Sequence, residues 1–327
     1  MDTSELDYPL PADAIAQTPV EPRDSARLLV DRGPDIAPAH RVVADLPDLL
    51  RAGDLLVVND TRVRAARLRL CKETGGEVEL LLLEPSGDGW EALVRPSRRV
   101  HSGIRLSSAD GSVEVVVGEP LGDGRWLVSV DGNLDAAGEA PLPPYIHTRL
   151  ADPERYQTVY ARRPTSAAAP TAGLHLTAEV LDRCRAAGID VAMVELAIGL
   201  DTFRPITEPT VESHPMHTEA YTVPDATLAA CERADRVVAV GTTVVRALEA
   251  AAATGAMEGR TDLFITRGYP FAIVDVLLTN FHVPRTTLLA LIDAFIGSRW
   301  RDLYATALAS GYRFLSFGDA MLVEREQ

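Results

Sequence analysis

The sequence predicts an α/β core accompanied by an all-β, barrel-like domain. Residues 53–130 run as short β-branched or alternating stretches broken by turn sequences. From about residue 170 onward, helix-like and strand-like stretches alternate, the pattern of an α/β core. The 327 residues are 46% apolar and 24% charged, enough to bury a core and to form about two domains.

The β-rich stretch reads GDLLVV, VRAARLRL, EVELLLLE, WEALVR, GIRLSS, VEVVVG and RWLVSV in order. TGG, PSGDG, HSG, SADG and GDGR between them supply turns. Short strands at this spacing predict a small barrel or sandwich. PLPPYI (141–146) ends the pattern. Thr177 then caps a helix that Gly188 stops, and VAMVELAIG follows as a buried strand. A helix begins near Asp225, and VVAVGTTVVRALEAAAATG reads as strand, tight turn and helix. FAIVDVLLTNF predicts a buried strand and HVPRTTLLALIDAFIG an apolar helix with Pro284 in its first turn. WRDLYATALASG is a last helix and YRFLSFGDAMLV a closing strand.

Composition excludes several chemistries. Lys72 is the single lysine among 32 basic residues, and its context LRLCKETGG matches no Schiff-base or phosphate-loop motif. Cys71, Cys184 and Cys231 are scattered and form no CxxC, which argues against disulfides, zinc and iron–sulfur clusters. The opening MDTSELDYPLPADAI is acidic and lacks an apolar core, and no apolar run approaches ~20 residues. The expectation is a cytoplasmic protein with no membrane partner and no metal. The net charge of −15 excludes general polyanion binding, so any nucleic-acid contact needs a local basic patch.

Four polar clusters fall at the ends of apolar runs, where open α/β sheets bind ligands: NDTR (59–62), PTAGLH (170–175), GTT (241–243) and TNFH (279–282). In GTT and TNFH a strand is expected to feed directly into a helix, whose free N–H groups suit a carboxylate or phosphate. The ordinary alternative for each is a capped helix or a satisfied turn. His175 and His282 suit acid–base work, or are simply hydrogen-bonded at strand ends. His214 and His217 have metal-like spacing, but Pro215 breaks the helix such a pair needs. Arg62, Arg64, Arg67, Arg69 and Lys72 are read as alternating along one strand. Arg95, Arg98, Arg99, His101 and Arg105 follow in VRPSRRVHSGIRL. Each group is either a solvated strand face or a surface for nucleic-acid phosphate.

These segments resemble the S-adenosylmethionine:tRNA ribosyltransferase-isomerase family of queuosine biosynthesis. The likeness runs through GDLLVVNDTRVRAARL (53–68), PLPPYI, AAPTAGLHLT (168–177), HPMHTEAYTVP (214–224), AVGTTVVRALE (239–249), VDVLLTNFHVPRTTLL (274–289) and YRFLSFGDAML (312–322). It implies an α/β core of residues 1–58 and 148–327 carrying the S-adenosylmethionine site, with a β-barrel domain inserted at 59–147. It also implies a reaction. The ribosyl part of S-adenosylmethionine passes to the aminomethyl group of 7-aminomethyl-7-deazaguanine in tRNA and isomerises to give epoxyqueuosine, while adenine and methionine leave. S-adenosylmethionine is a substrate, and no resident cofactor is implied.

On this likeness the candidate acid–base groups are His175, His282, Asp60 and Asp201. Substrate binding is expected of Asn59, Thr61, Arg62, Pro170, Thr171, Ala172, Gly173, Gly241, Thr242, Thr243, Arg246, Thr279, Asn280 and Phe281. Arg62 and Arg246 are the candidates for holding the methionine carboxylate or a tRNA phosphate, and Arg95, Arg98, Arg99 and Arg105 are candidates for RNA. The chain departs from the family pattern at LAIGLDTF (196–203): Ala197 stands at a usual histidine and Asp201 at a usual glycine. Thr165 and Val244 likewise replace a usual glycine and serine. These departures leave two alternatives open: a paralogue using a small acceptor or releasing adenine as a lyase, and a tRNA-binding protein without catalysis.

Overall fold

The computed structural model describes residues 1–122, 124–199 and 204–326. The chain forms two compact units: Met1–Arg62, Pro143–Arg163 and Ala169–Gln327 make the first, and Val63–Leu142 with Pro164–Ala168 the second.

The first unit is built on a nine-stranded mixed sheet. Its strands are β1 (Arg27–Asp31), β2 (Ala39–Val42), β3 (Asp54–Asn59), β10 (Asp190–Leu196), β11 (Glu219–Thr222), β12 (Arg236–Val240), β13 (Glu258–Thr261), β14 (Val276–Asn280) and β15 (Ala320–Glu324). The order across the sheet is β13-β11-β10-β3-β12-β14-β15-β1-β2. The central strands β10, β3, β12 and β14 run parallel. Their sequences explain this. DLLVVN and VLLTN are buried at every position, as a strand covered on both faces must be. Leu56, Val58, Val238, Val240 and Leu278 pack in one cluster with Val180, Leu181 and Cys184 of α1 (Ala178–Ala186), whose Thr177 cap accepts from the Val180 N–H at 3.2 Å. Helix α3 (Thr242–Thr254) packs on β3, β10, β12 and β14; α2 (Asp225–Arg233), α4 (Thr287–Ile296) and α5 (Trp300–Ala309) complete the layers.

The second unit is a closed barrel of β4 (Arg67–Lys72), β5 (Glu77–Ser86), β6 (Gly89–Arg95), β7 (Arg105–Ser108), β8 (Val113–Gly122) and β9 (Arg125–Gly132), in the order β9-β6-β5-β4-β7-β8. Every neighbouring pair is antiparallel, and closure leaves no unpaired edge. Alternation fills the interior: Leu68, Leu70, Val78, Leu80, Val113 and Val115 point inward, while Arg69 and Glu114 are exposed.

Three expectations need correcting. GDLLVV belongs to the large sheet as β3, because its unbroken apolar run suits a strand covered on both faces. The closing strand is confined to Ala320–Glu324, since residues 312–319 form an irregular segment with Leu315 at φ 69°. The basic residues from Arg62 to Lys72 do not share one strand: the chain leaves extended pairing at 64–66.

A buried carboxylate holds the entry to β14. Glu249 of α3 is fully buried and accepts the N–H groups of Ala272 at 2.8 Å, Ile273 at 3.0 Å and Val274 at 3.1 Å. Removing it leaves three backbone donors without their partner, that of buried Val274 among them. Glu249→Ala should lower the unfolding free energy by about 3 kcal/mol in urea denaturation. A loss below about 1 kcal/mol would mean that the segment finds other partners.

Candidate active site at the carboxyl edge of the sheet

The parallel strands β3, β12 and β14 end at Asn59, Val240 and Asn280 on one edge of the sheet, beside the end of β10 at Leu196. Chain order reverses about β3 here, with β10 on one side and β12 and β14 on the other, the place where open α/β sheets leave a crevice. A cleft partly open to solvent lies at this edge.

Gly241 turns β12 into α3 with φ 91° and ψ 154°, a backbone state that side chains disfavour. Thr242 and Thr243 follow in the first turn of α3, which has no side-chain cap among the described residues and lines the cleft. From β14 come Thr279 and Asn280, and beyond it Phe281 and His282. Pro170, Thr171 and Ala172 form the facing wall. Unlike GTT, TNFH does not run straight into a helix. Residues 281–286 intervene before α4, which Thr286 caps, so Pro284 precedes the helix.

The other expected residues lie away from the cleft lining. Asn59 is consumed internally: its amide donates to the Leu196 carbonyl at 3.0 Å and the Thr243 hydroxyl at 3.3 Å, and its oxygen accepts the Thr61 and Leu196 N–H groups. Thr61 is buried, and Arg62 is ion-paired with Glu154. Asp60 is nearly buried, and desolvation, reinforced by Glu195, raises its pKa. Gly173 is a packing residue: a Cβ there would lie 2.1 Å from the Tyr160 hydroxyl. Arg246 is buried against Glu219, and its Nε donates to the Leu263 carbonyl at 3.2 Å. The Glu219 carboxylate also accepts the Gly199 N–H at 2.9 Å, so the pair anchors the chain beside Ile198, which lines the cleft. Asp201 lies outside the described residues. Ala197 donates its N–H to the Ala220 carbonyl at 2.9 Å and does not line the cleft.

The two histidines differ in place. His282 lines the cleft, with Nε2 3.3 Å from the Thr279 hydroxyl. The Tyr304 hydroxyl accepts the His282 backbone N–H at 3.0 Å and sits 3.4 Å from Nδ1. His175 is buried behind the wall, with Nε2 3.1 Å from the Asn280 amide nitrogen. Burial lowers the pKa of His282 to about 3. Burial, with Arg313, Arg155 and Arg23 nearby, lowers that of His175 to about 4. Both rings are therefore neutral at pH 7.

Sequence reasoning missed Tyr145, Ile198, Thr286, Leu315 and Ser316, which also line the cleft. Tyr145, Leu315 and Ser316 fall within PLPPYI and YRFLSFGDAML, but no chemistry marks them. Tyr145 and Ser316 hydroxyls meet at 2.7 Å.

On the barrel, Arg95, Arg98 and Arg99 are exposed and carry no ion pair among the described residues, while Arg105 pairs with Glu114 at 3.1 Å. The earlier group is largely occupied. Arg64 donates to the Leu83 carbonyl and stacks on Trp90, Arg69 faces Glu139 at 3.6 Å, and Lys72 donates to the Arg99 carbonyl. Among the described residues no three His, Cys, Asp or Glu side chains group as for a metal ion, and no helix is long and apolar enough to cross a membrane.

A cleft walled by threonines, an asparagine amide and a neutral imidazole together with apolar Ala172, Ile198, Phe281 and Leu315, at the carboxyl edge of a sheet in a chain that also folds a six-stranded barrel, defines an α/β protein built to hold an organic ligand with polar and apolar parts. The family model described as "Queuosine biosynthesis protein" matches residues 3–323, and the chain belongs to that family. The S-adenosylmethionine:tRNA ribosyltransferase-isomerase of Rubrobacter xylanophilus is 53% identical over 328 residues, which cover 99% of this chain and 98% of the relative. The protein of the same name from Thermus thermophilus is 50% identical over 343 residues, covering 97% and 98% respectively. The crystal structure of S-adenosylmethionine tRNA ribosyltransferase from Thermotoga maritima superimposes with a TM-score of 0.57 at 35% identity, over 98% of this chain and 100% of that one.

The histidine shifts make a pH prediction. An unfolded histidine binds its proton near 6.5, whereas folded His175 and His282 do so only near 4 and 3. Between these values the unfolded state holds more protons, so stability falls as pH drops below about 6.5, and these groups contribute no pH dependence above about 7.5. Urea denaturation from about pH 7 down to 4.5 should show this fall. His282→Gln should flatten the slope, and an unchanged slope would show that His282 is not held neutral.

Proposed function

We propose that this chain transfers the ribosyl moiety of S-adenosylmethionine onto 7-aminomethyl-7-deazaguanine in tRNA and isomerises it, giving epoxyqueuosine and releasing adenine and methionine. One observation carries the proposal: the match to relatives of that activity runs the length of the chain at about half identity. Because tRNA stands in the relatives' names, it is favoured over a small-molecule acceptor.

The chemistry suits what the cleft offers. The sulfonium of S-adenosylmethionine acidifies the neighbouring C5′ proton and makes methionine a good leaving group, so the reading needs neither resident cofactor nor metal. The protein must place the amine, accept a proton and assist departing adenine. Of the expected acid–base groups among the described residues, His282 lines the cleft. In the tautomer with its proton on Nε2, the ring would serve as a hydrogen-bond donor to the leaving base, with the Tyr304 hydroxyl 3.4 Å from Nδ1. The start of α3 at Thr242 and Thr243, which lines the cleft, suits the methionine carboxylate through N–H groups and the helix dipole. This replaces Arg62 and Arg246 in that role, since both already hold carboxylates of the protein.

The test is incubation with S-adenosylmethionine and tRNA carrying the aminomethyl-deazaguanine. Adenine release that requires the RNA, with a modified wobble base, is the expected result. Release independent of RNA would transfer the assignment to a small acceptor or to a lyase, and bound tRNA without product would leave a binding protein.

The exposed arginines Arg95, Arg98, Arg99 and Arg105 support a phosphate-binding patch. Reversing Arg98, Arg99 and Arg105 to glutamate should weaken tRNA binding and flatten its salt dependence, because each lost phosphate contact removes a released counterion. Binding of S-adenosylmethionine should hold. Equal loss of both ligands would reject the patch.

A further inference from the structure

The polar contacts behind the cleft wall form a chain with a definite direction. Asn280 lines the cleft and is buried to 3% exposure. Its amide nitrogen lies 3.4 Å from the Asp319 carbonyl, which can only accept, so that end of the amide is the NH₂. The same NH₂ meets His175 Nε2 at 3.1 Å, so this ring nitrogen accepts and the neutral ring carries its proton on Nδ1. The amide oxygen then takes the Thr171 hydroxyl proton at 2.9 Å. Flipping the amide would set its oxygen against the Asp319 carbonyl. Protonating the ring would place a second donor against the NH₂ and a fourth cation among Arg23, Arg155 and Arg313, the charged groups around this buried imidazole. Arg23 stands next to it in the chain's path, donating to the Leu174 carbonyl at 3.4 Å.

This polarity reaches the ligand. Thr171 has given its proton to Asn280, so its oxygen offers only lone pairs to the cleft, and the Asn280 oxygen keeps one lone pair unused. The wall they share is one of acceptors. It suits the N–H and O–H donors and the positive charge of S-adenosylmethionine.

We propose that His175 is a positioning residue: its unprotonated Nε2 sets the Asn280 amide, so that Thr171 and Asn280 present an acceptor wall to the cationic substrate. The inference rests on the reading above for the identity of that substrate. It moves His175 from the proton-transfer role expected of it to one exerted through Asn280.

Nitrogen-detected NMR of the whole wild-type chain tests it without turnover. The imidazole of His175 should show a protonated Nδ1 and a bare Nε2, unchanged from about pH 5.5 to 8. A protonated Nε2, or titration within that range, overturns the proposal. Two variants then separate positioning from proton transfer. His175→Phe keeps a ring but no acceptor, and the KM for S-adenosylmethionine should rise roughly 5- to 100-fold, with kcat changing less and the pH–rate profile in place. His175→Gln restores an acceptor and should recover most of that loss. If both variants instead lose about 10²–10⁴ in kcat while binding S-adenosylmethionine normally, His175 is a general acid or base and the proposal is wrong. Thermal melting of each variant shows that it is folded. If the wild type releases no adenine at all, the function reading fails, while the NMR result and direct binding of S-adenosylmethionine still decide the role of His175.

Discussion

The site depends on one constraint: the central strands of the sheet are buried on both faces, so every polar group at their ends needs a partner supplied by the protein. Asn59, Asn280 and Thr279 stand where an apolar strand stops, at 0%, 3% and 1% exposure. An unpaired amide at such a place costs a desolvation penalty comparable to a whole hydrogen bond. The protein meets that cost by binding its own loops. Asn59 ties the end of β3 to the end of β10 and to the first turn of α3. Asn280 ties β14 to Thr171, His175 and the Asp319 carbonyl. Satisfying the buried groups and shaping the cleft are the same act.

Buried carboxylates extend the logic to the backbone. Glu249 gathers the N–H groups leading into β14, and Asp319 takes those of Arg27 at 2.9 Å and Arg313 at 2.8 Å. Asp319 thereby fixes the segment whose carbonyl, together with His175 Nε2, accepts from the Asn280 amide. The cleft wall is as rigid as these contacts, and a preorganised wall spends little free energy on ordering when the substrate binds.

The electrostatics divide by region. The chain carries a net charge of −15, yet His175 is surrounded by arginines and an arginine-bearing turn is exposed on the barrel. Neutral imidazoles at pH 7 follow from burial at the sheet edge, not from the overall charge. Among the described residues no positive side chain lines the cleft, which is compatible with a substrate that is itself a sulfonium.

The sequence by itself determined the fold class, because its signals are local. Unbroken apolar runs such as LLVV and VLLT mark covered strands, alternation such as VEVVV marks barrel strands, and glycine turns separate them. The motifs PTAGLH, GTT and TNFH were legible too, and most of their residues meet at the cleft. Only the tertiary structure decided which polar residues face the ligand and which stand behind them. Asn59, Gly173, His175 and Arg246 look like their neighbours in sequence, yet each is turned inward to serve the protein. Conversely, Tyr145, Leu315 and Ser316 reach the cleft from segments with no chemical signature. The physical reason is that periodicity assigns a residue to a face only while a strand or helix continues. Beyond Asn59 and Asn280 the chain turns, and the direction of each side chain is set by the distant partner that satisfies it.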